Sequence, residues 1–253
     1  MAIALITGAS SGLGVEFAWQ LAGSGHDLVI VARDKARLEN LAYQIRGVTG
    51  VNVEVLPADL ADQTQLQLVQ DRLAQTQNPV SLLVNNAGYT VPGSLLKTDA
   101  DAEAQTIDVL AKAVLKLTKS ALRQMLPRNR GAILNVASVA AHTTSGTYSA
   151  NKAWVLTFTE SLAAELKKQG SKVSATALCP GLVRTEFHER AKLDYAHIHS
   201  VAWIGIEKVV AQALRDTRQK RTISTPTLRY KLVSLGLRHA PRSLVAWLQS
   251  KVR

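Results

Sequence analysis

Three side chains in the middle of the chain have the types and spacing that proton transfer to an oxygen atom requires. Tyr148 and Lys152 are four residues apart, so they share one face of a helix. A free tyrosine has a pKa of about 10, and a nearby ammonium group stabilises the phenolate and lowers that pKa. Ser138 follows an apolar run, and its hydroxyl is a donor for an oxygen that gains charge. The alternatives are a solvated helix face for Tyr148 and Lys152, and a turn cap for Ser138.

A glycine-rich segment near the N-terminus has the composition of an anion-binding turn. It follows the apolar run from Ile3 to Ile6, which predicts a strand that leads through a glycine turn into a helix. Glycines allow close approach of the backbone, and the helix N-terminus offers N–H groups and partial positive charge to phosphate. The alternative is a plain tight turn before a helix. The candidate ligand-binding residues of this segment are Gly8, Ser10, Ser11, Gly12, Leu13 and Gly14.

Alternating strand and helix patterns supply the elements that must position these groups. Short apolar runs of this kind are typical of strands covered on both faces, and alternation at this spacing predicts parallel strands with right-handed helical crossovers. The sequence therefore predicts an α/β fold with a doubly wound parallel sheet of about seven strands. Strands are predicted at 3–7, 28–32, 51–56, 80–84, 132–137, 173–178 and 222–225, and helices at 12–24, 35–46, 62–76, 99–126 and 147–168.

Local signals fix several of these boundaries. Asp34 is a predicted N-cap, and Asp62 with Gln65 has the pattern of a capping box. Residues 186–205 have no clear period and are interpreted as a variable loop and helix beside the ligand crevice. A helical pattern at 227–251 is broken at Pro241.

Composition is that of one domain in a reducing compartment. The chain has 253 residues, 47% of them hydrophobic, which is enough for a large core. Its one cysteine, Cys179, excludes an internal disulfide, and its simplest interpretation is a small buried apolar residue. The N-terminus lacks a basic region before its apolar run, and no 18-residue apolar run occurs, so we expect a cytoplasmic protein.

Positive charge is concentrated at the C-terminal end. The net charge is +11, and no acidic residue follows Asp216. Residues 1–225 are interpreted as the nucleotide-binding and catalytic domain, and 226–253 as a basic amphipathic extension. That extension is expected to pack on the domain, on a partner subunit or on a membrane surface. The chain has no zinc-ligand spacing, aromatic RNA platform or helix-turn-helix pattern, so nucleic-acid binding is not expected.

Taken together, the motifs resemble those of the short-chain dehydrogenases/reductases. The likeness extends over about residues 1–225 and implies a Rossmann sheet and an NAD(P)(H)-dependent oxidoreductase acting on a small carbonyl or alcohol substrate. We also expect a homo-oligomer. The motifs that carry the resemblance are Thr7-Gly8-x-x-x-Gly12-x-Gly14, Asp59-Leu60, Asn85-Asn86-Ala87-Gly88, Ser138, Tyr148-x-x-x-Lys152 and Pro180-Gly181-x-x-x-Thr185.

The resemblance implies a role for each motif. Tyr148 would be the acid–base group, Lys152 would lower its pKa and bind the cofactor ribose, and Ser138 would hold the substrate oxygen. The remaining implied cofactor contacts are Asp59 and Leu60 beside the adenine, Asn86, Ala87 and Gly88 beside the ribose, and Pro180, Gly181, Val183 and Thr185 over the nicotinamide and its phosphate.

The end of the second strand predicts the cofactor. NAD-preferring enzymes carry an acid there for the ribose 2′-hydroxyl, whereas this chain has Ala32 followed by Arg33. A guanidinium is suited to a 2′-phosphate, so NADP(H) is predicted, with a solvated loop residue as the alternative for Arg33.

Two departures from the family pattern motivate a second hypothesis. The asparagine that the family usually has in its long helix is replaced by Leu110, and Ser138 and Tyr148 are about three residues closer together than usual. Both features put efficient turnover in question but not nucleotide binding. The alternative function is therefore an NADP(H)-binding sensor or scaffold with little turnover.

The histidines show no metal-ligand spacing, and no metal site is predicted. His197 and His199 lie in the variable segment, and His142, in the shortened loop, is a candidate for substrate contact.

Overall fold

A computed structural model describes residues 2–187 and 200–250 of the chain. In this structure a single parallel sheet has the strand order β3-β2-β1-β4-β5-β6-β7. The order reverses between β1 and β4, which opens a crevice at the carboxyl ends of these strands. The predicted doubly wound sheet is confirmed. Its strands are β1 (Ile3–Thr7), β2 (Asp27–Ala32), β3 (Val53–Pro57), β4 (Val80–Asn85), β5 (Ala132–Val136), β6 (Ser174–Leu178) and β7 (Ile223–Ser224).

Helices cover both faces of the sheet, and each face has its own apolar core. The helices α1, α2 and α7 pack on one face, and α3, α5 and α6 pack on the other. Strand residues buried on both faces explain the unbroken apolar runs in the sequence. The helices are α1 (Gly12–Gly23), α2 (Lys35–Thr49), α3 (Gln63–Ala74), α4 (Ala100–Ile107), α5 (Ala113–Met125), α6 (Gly146–Lys168), α7 (Ile206–Arg218), α8 (Leu228–His239) and α9 (Arg242–Ser250).

The helix predicted at 99–126 is interrupted. A π-helical segment, Asp108–Lys112, separates α4 from α5. Single π turns of this kind occur mostly inside α-helices and often beside functional sites. The segment holds Leu110, which is almost fully buried.

Two helix starts show how closely local signals predict the backbone. Asp34 caps α2 by accepting a hydrogen bond from the Arg37 amide, as predicted. Asp62 likewise caps α3 through the Gln65 amide. In a capping box the Gln65 side chain would also accept a hydrogen bond from the Asp62 amide, and this part of the prediction is wrong. The Gln65 side-chain oxygen accepts instead from the Asp59 amide nitrogen, at 2.8 Å.

Below the crevice, a chain of buried amides and hydroxyls connects the strands to the helix that carries Tyr148. The Asn85 amide donates to the Thr118 hydroxyl and to the Asn135 side-chain oxygen, and the Asn135 amide donates to the Thr159 hydroxyl. The Asn85 side-chain oxygen is buried without a hydrogen-bond partner among the described residues, but the bonds that are made restrict how the elements pack. The ends of β4 and β5 are thereby held against α5 and α6.

The C-terminal segment folds back over the carboxyl edge of the sheet. α8 and α9 are separated at Pro241, where the sequence predicts a break. α8 packs beside the turn that follows Ser138, and Val245 of α9 is buried. Most of the segment predicted as a variable loop and helix at 186–205, including His197 and His199, lies outside the described residues.

Candidate active site

A cavity of about 860 Å³ lies at the carboxyl edge of the sheet. Its position is the one that ligands occupy in doubly wound folds. The cavity brings together nearly all of the candidate site residues from distant parts of the chain. Those that line it are Gly8, Ser10, Ser11, Gly12, Leu13, Arg33, Asp59, Leu60, Asn86, Ala87, Gly88, Ser138, Tyr148, Lys152, Pro180, Gly181, Val183 and Thr185.

The glycine turn has the backbone geometry of a phosphate cradle. Gly8 and Gly12 have φ angles of +67° and +52°, which side-chain-bearing residues rarely adopt. A Cβ on Gly8 would lie 2.8 Å from the Ala87 Cα, so the chain can pass there only without a side chain. Ser11, the N-cap of α1, makes no side-chain capping bond, so the first turn presents amide donors to the cavity. These features fit the pyrophosphate of a dinucleotide.

Gly14 is the exception among the predicted cofactor residues. It does not line the cavity. A Cβ at this position would overlap the Gly8 carbonyl oxygen and crowd the Asn86 side chain. Close packing of α1 on the turn is therefore enough to require a glycine here, and the cofactor contact of Gly14 stays a prediction. Spacing alone does not separate these two reasons for a glycine.

Asn86 ties the glycine turn to the loop after β4. Its amide nitrogen donates to the carbonyl oxygens of Thr7 (2.9 Å) and Gly8 (3.2 Å). In return, the Thr7 hydroxyl accepts hydrogen bonds from the backbone amides of Asn86 and Ala87. The two loops that border the crevice are thus held together before any ligand binds.

Tyr148 and Lys152 lie together on the first turns of α6. The Lys152 ammonium is buried, lies 5.8 Å from the centre of the Tyr148 ring and donates a 2.6 Å hydrogen bond to the Val136 carbonyl. Burial lowers the pKa of Lys152 to about 8. The ammonium form still predominates at neutral pH, so a positive charge lies beside the tyrosine.

Ser138 faces the same cavity from the end of β5. Its hydroxyl oxygen accepts a hydrogen bond from the Ala140 amide (3.0 Å) and caps a short 3-10 turn, Val139–His142. The turn cap that the sequence left as an alternative is therefore present. Because the oxygen is the acceptor in that bond, the hydroxyl proton remains able to donate into the cavity.

Cys179 lies behind Ser138, buried at the end of β6. Burial raises the pKa of its thiol to about 12, with Glu160 adding to the effect. The thiol is therefore un-ionised and behaves as an apolar residue, as its sequence interpretation holds.

The far end of the cavity carries two guanidinium groups. Arg33 is well exposed, and its Nη1 is 3.8 Å from Asp59 Oδ2. Arg37, which sequence reasoning missed, also lines the cavity and forms an ion pair with Glu186 across its rim (3.0 Å). Asp34 lies at the same end, but its carboxylate caps α2 and lies 3.5 Å from Arg37 Nε. Each guanidinium is paired with a carboxylate, and both face the cavity as donors for an anionic group on the ligand.

Leu110 lies beside the catalytic candidates. Its Cδ2 atom and the Lys152 ammonium lie 2.6 Å and 3.8 Å from the point where a Cβ on Gly88 would stand. An apolar methyl group and the Lys152 ammonium therefore border the same side of Gly88, and the family pattern has a polar side chain at position 110.

Several cavity residues escaped the sequence analysis. Tyr230 and Leu237 enter from α8, and Phe187 packs on the Tyr148 ring with a centroid distance of 5.5 Å. Tyr89 and Gln105 also line the wall. None belongs to a motif, and only the apolar period of the C-terminal segment could have indicated the first two.

His142 does not line the cavity. Burial lowers its pKa, and Arg238 on α8 lowers it further. Its side chain therefore belongs to the junction between the turn after Ser138 and α8. Within the described ranges, no cluster of three metal-ligating side chains occurs, and no helix is long and apolar enough to cross a membrane.

Comparison with known proteins decides the family. The short chain dehydrogenase profile matches residues 2–196. The chain belongs to the short-chain dehydrogenase/reductase family. The resemblance drawn from the motifs is confirmed, and with it a Rossmann-fold oxidoreductase with a nicotinamide cofactor site.

Solved structures of this family are similar over nearly the whole chain. A short-chain dehydrogenase from Sphingobium yanoikuyae in complex with NADPH is 32% identical, covers 93% of each chain and has a TM-score of 0.85. The bulky-bulky ketone specific alcohol dehydrogenase from Comamonas testosteroni is 29% identical, with a TM-score of 0.80 and coverage of 93% of this chain and 92% of its own. A family member from Burkholderia phymatum in complex with NAD is 26% identical, with a TM-score of 0.82 and coverage of 92% of both.

Proposed function

We propose that this short-chain dehydrogenase/reductase transfers hydride between NADP(H) and a carbonyl or secondary alcohol substrate, with Tyr148 as the acid–base group. The observation that carries the proposal is the buried Lys152 ammonium, 5.8 Å from the Tyr148 ring and in the same cavity as Ser138. The cofactor supplies the hydride when bound. The protein's part is to bind, orient and exchange a proton.

Reduction uses these groups as follows. The Ser138 hydroxyl donates a hydrogen bond to the substrate carbonyl oxygen and orients it. Tyr148 gives its proton to that oxygen as the carbon accepts hydride, so the product is an alcohol and the tyrosine becomes a phenolate. The Lys152 charge stabilises the phenolate. Oxidation of an alcohol runs the same steps in reverse.

NADP(H) is the cofactor that the charges favour. Arg33 and Arg37 lie at the end of the cavity that follows β2, and the position that usually carries an acid is Ala32. Asp34 is already engaged by the start of α2 and by Arg37. A 2′-phosphate would meet two guanidinium groups there, and would compete with Asp59 for Arg33 and with Glu186 for Arg37.

The substrate end of the cavity favours a carbonyl compound with an apolar body. Val139, Leu182, Phe187, Tyr230 and Leu237 line it close to Ser138 and Tyr148. The similarity to an alcohol dehydrogenase specific for bulky ketones is consistent with such a substrate.

A second function has one observation in its favour. Leu110 puts a methyl group on the same side of Gly88 as the Lys152 ammonium, where proton resupply through a water chain would need a polar side chain. A sensor or scaffold that binds NADPH with little turnover would tolerate the loss of such a water chain. The intact set of Ser138, Tyr148 and Lys152 favours the enzyme.

One experiment separates the two functions. NADPH binding is measured by fluorescence, and NADPH oxidation is measured with a panel of aldehydes and bulky ketones, for the wild type and Tyr148→Phe. The enzyme hypothesis expects unchanged binding and a loss of about a hundredfold or more in rate. Tyr89→Phe, which removes a hydroxyl from the same cavity, is the matched control and should retain the rate. Tight binding without oxidation of any compound would favour the sensor, and equal rates for wild type and Tyr148→Phe would refute the acid–base role.

A further inference from the structure

Helix α8 has two apolar faces with different surroundings. Tyr230 and Leu237, seven residues apart, line the cavity. Leu228, Leu232 and Leu235 lie at the i, i+4 and i+7 positions of the opposite face and are 72%, 61% and 56% exposed. Three large leucines exposed in a row on one helix face form a contiguous patch, which is uncommon on a soluble monomer.

The next helix also exposes apolar side chains. Leu244 and Trp247 of α9 are about half exposed, whereas Val245 is buried and holds the helix to the protein. Both C-terminal helices therefore expose apolar side chains while being anchored to the domain, α8 through Tyr230 and α9 through Val245.

Positive charge borders the patch on the same helices. Lys231 and Arg238 lie along one edge of the leucine face, Arg229 lies along the other, and Arg242 begins α9. Within the described part of the chain, no carboxylate forms an ion pair with Lys231, Arg238 or Arg242. No acidic residue at all occurs after Asp216.

We propose that this face, the exposed side of α8 and α9, binds to an anionic lipid bilayer. Leucines flanked by lysine and arginine match the acyl and headgroup layers of such a surface, since the apolar side chains enter the interface and the cations meet the lipid phosphates. A second copy of the chain offers no such match, because a two-fold contact through this face would place the basic residues of one copy against the basic residues of the other. A nucleic acid would meet the charges but leave the leucines without apolar contact.

Binding through this face would place the active-site cavity close to the lipid surface. Tyr230 and Leu237 are on the inner side of the same helix, so one helix diameter, about 10 Å, separates the lipid surface from the cavity wall. A substrate dissolved in the bilayer would thus have a short path to the cavity.

The test is co-sedimentation of the full-length protein with phosphatidylcholine vesicles that contain or lack phosphatidylglycerol, at low and high salt. We expect binding to the anionic vesicles only, and weaker binding at high salt. A Lys or Arg near such a surface is worth about a fivefold factor in affinity, so Lys231→Glu with Arg238→Glu should weaken binding at least tenfold. Lys167→Glu with Lys168→Glu, at the exposed end of α6, is the charge-matched control.

The apolar part is tested separately. Changing Leu228, Leu232 and Leu235 together to serine should abolish vesicle binding. The same change at Leu68, Leu96 and Leu126, exposed elsewhere on the molecule, should not. NADPH binding and light scattering of each variant report folding and oligomeric state without any measurement of turnover, so the result is independent of the proposed hydride transfer.

Equal binding to neutral vesicles, or binding that survives the serine changes on α8, would overturn the proposal. A different result would also overturn it: the wild type is an oligomer that does not bind vesicles, and the α8 serine variant is a monomer. In that case the exposed face of α8 would be a subunit interface.

Discussion

The ring of Tyr230 packs directly on Gly181, so closely that a Cβ on the glycine would overlap three atoms of the ring. The Tyr230 hydroxyl donates to the Ala202 carbonyl (2.7 Å) and accepts from the Leu182 amide (3.1 Å). One side chain from α8 thereby holds two segments at the rim of the cavity, including the Pro180–Thr185 motif.

Gly181→Ala should therefore lower stability, because the added methyl group displaces the Tyr230 ring. Overpacking of this kind costs about 1–3 kcal/mol. Combining it with Tyr230→Ala should cost less than the sum of the two single changes in a urea-unfolding double-mutant cycle. Gly236→Ala, on α8 with open space around the new Cβ, is the control and should be neutral or slightly stabilising. Additive free energies would refute the contact.

Arg33→Ala should weaken NADPH binding and leave NADH binding unchanged. A charge-assisted hydrogen bond to a 2′-phosphate is worth roughly 1.5–3 kcal/mol, or about tenfold to a hundredfold in affinity. Titration of both cofactors into wild type and variant measures this. Lys35→Ala, which removes a nearby exposed cation that does not line the cavity, should change neither affinity. Equal affinities of the wild type for the two cofactors would contradict the prediction.

Leu110→Asn should lower stability without abolishing activity. The side chain is almost fully buried against Gly88, and a buried amide without partners costs about 1–3 kcal/mol. The wild type should turn over more slowly than the enzyme median of about 10 per second, since proton resupply must pass through the ribose, Lys152 and water from the crevice. Leu110→Met, an apolar change of similar volume, controls for repacking. A wild-type rate at or above that median would show that the leucine does not limit this enzyme.

The stability of the ligand-free protein should rise with pH between about 8 and 9 because of Lys152. Its folded pKa is about 8 against 10.5 for an ordinary lysine, so in this range the unfolded chain binds more protons and the free energy of unfolding increases with pH. Between pH 8 and pH 9 the free energy of unfolding of the wild type should increase by roughly 1 kcal/mol more than that of Lys152→Met. Above pH 9 Cys179 acts in the opposite direction, because its folded pKa of about 12 exceeds the ordinary value of 9.0.

Urea unfolding at several pH values measures this difference, and the exposed Lys167→Met is the control. Parallel pH profiles for the wild type and Lys152→Met would exclude a lowered lysine pKa.

Local signals explain why so much of the fold was predictable. Strands buried on both faces read as apolar runs, and caps such as Asp34 mark helix starts, so element order and type follow from short stretches of sequence. The apolar period of the C-terminal segment indicates a packed helix face, but it does not predict that Tyr230 and Leu237 form the cavity wall, because this depends on how a segment beyond the last motif folds back. The packing constraints on Gly14 and Gly181 also escaped prediction, since a glycine needed for packing has the same spacing as one that touches a ligand.

The π segment at Asp108–Lys112 makes chain length as important as residue identity at position 110. A π turn holds about one residue more than an α turn, and that residue is absorbed within the turn, so α4 and α5 keep nearly the faces of one continuous helix. Thr106 of α4 is buried and hydrogen-bonded by the Asn151 amide, and Leu110 within the segment is buried as well. Removing the extra residue would close the turn to an α turn with little rotation of α4, so the change would fall mainly on the backbone around Leu110 and on its contact with Gly88. A one-residue deletion within 108–112 therefore alters position 110 in a way that no point substitution reproduces.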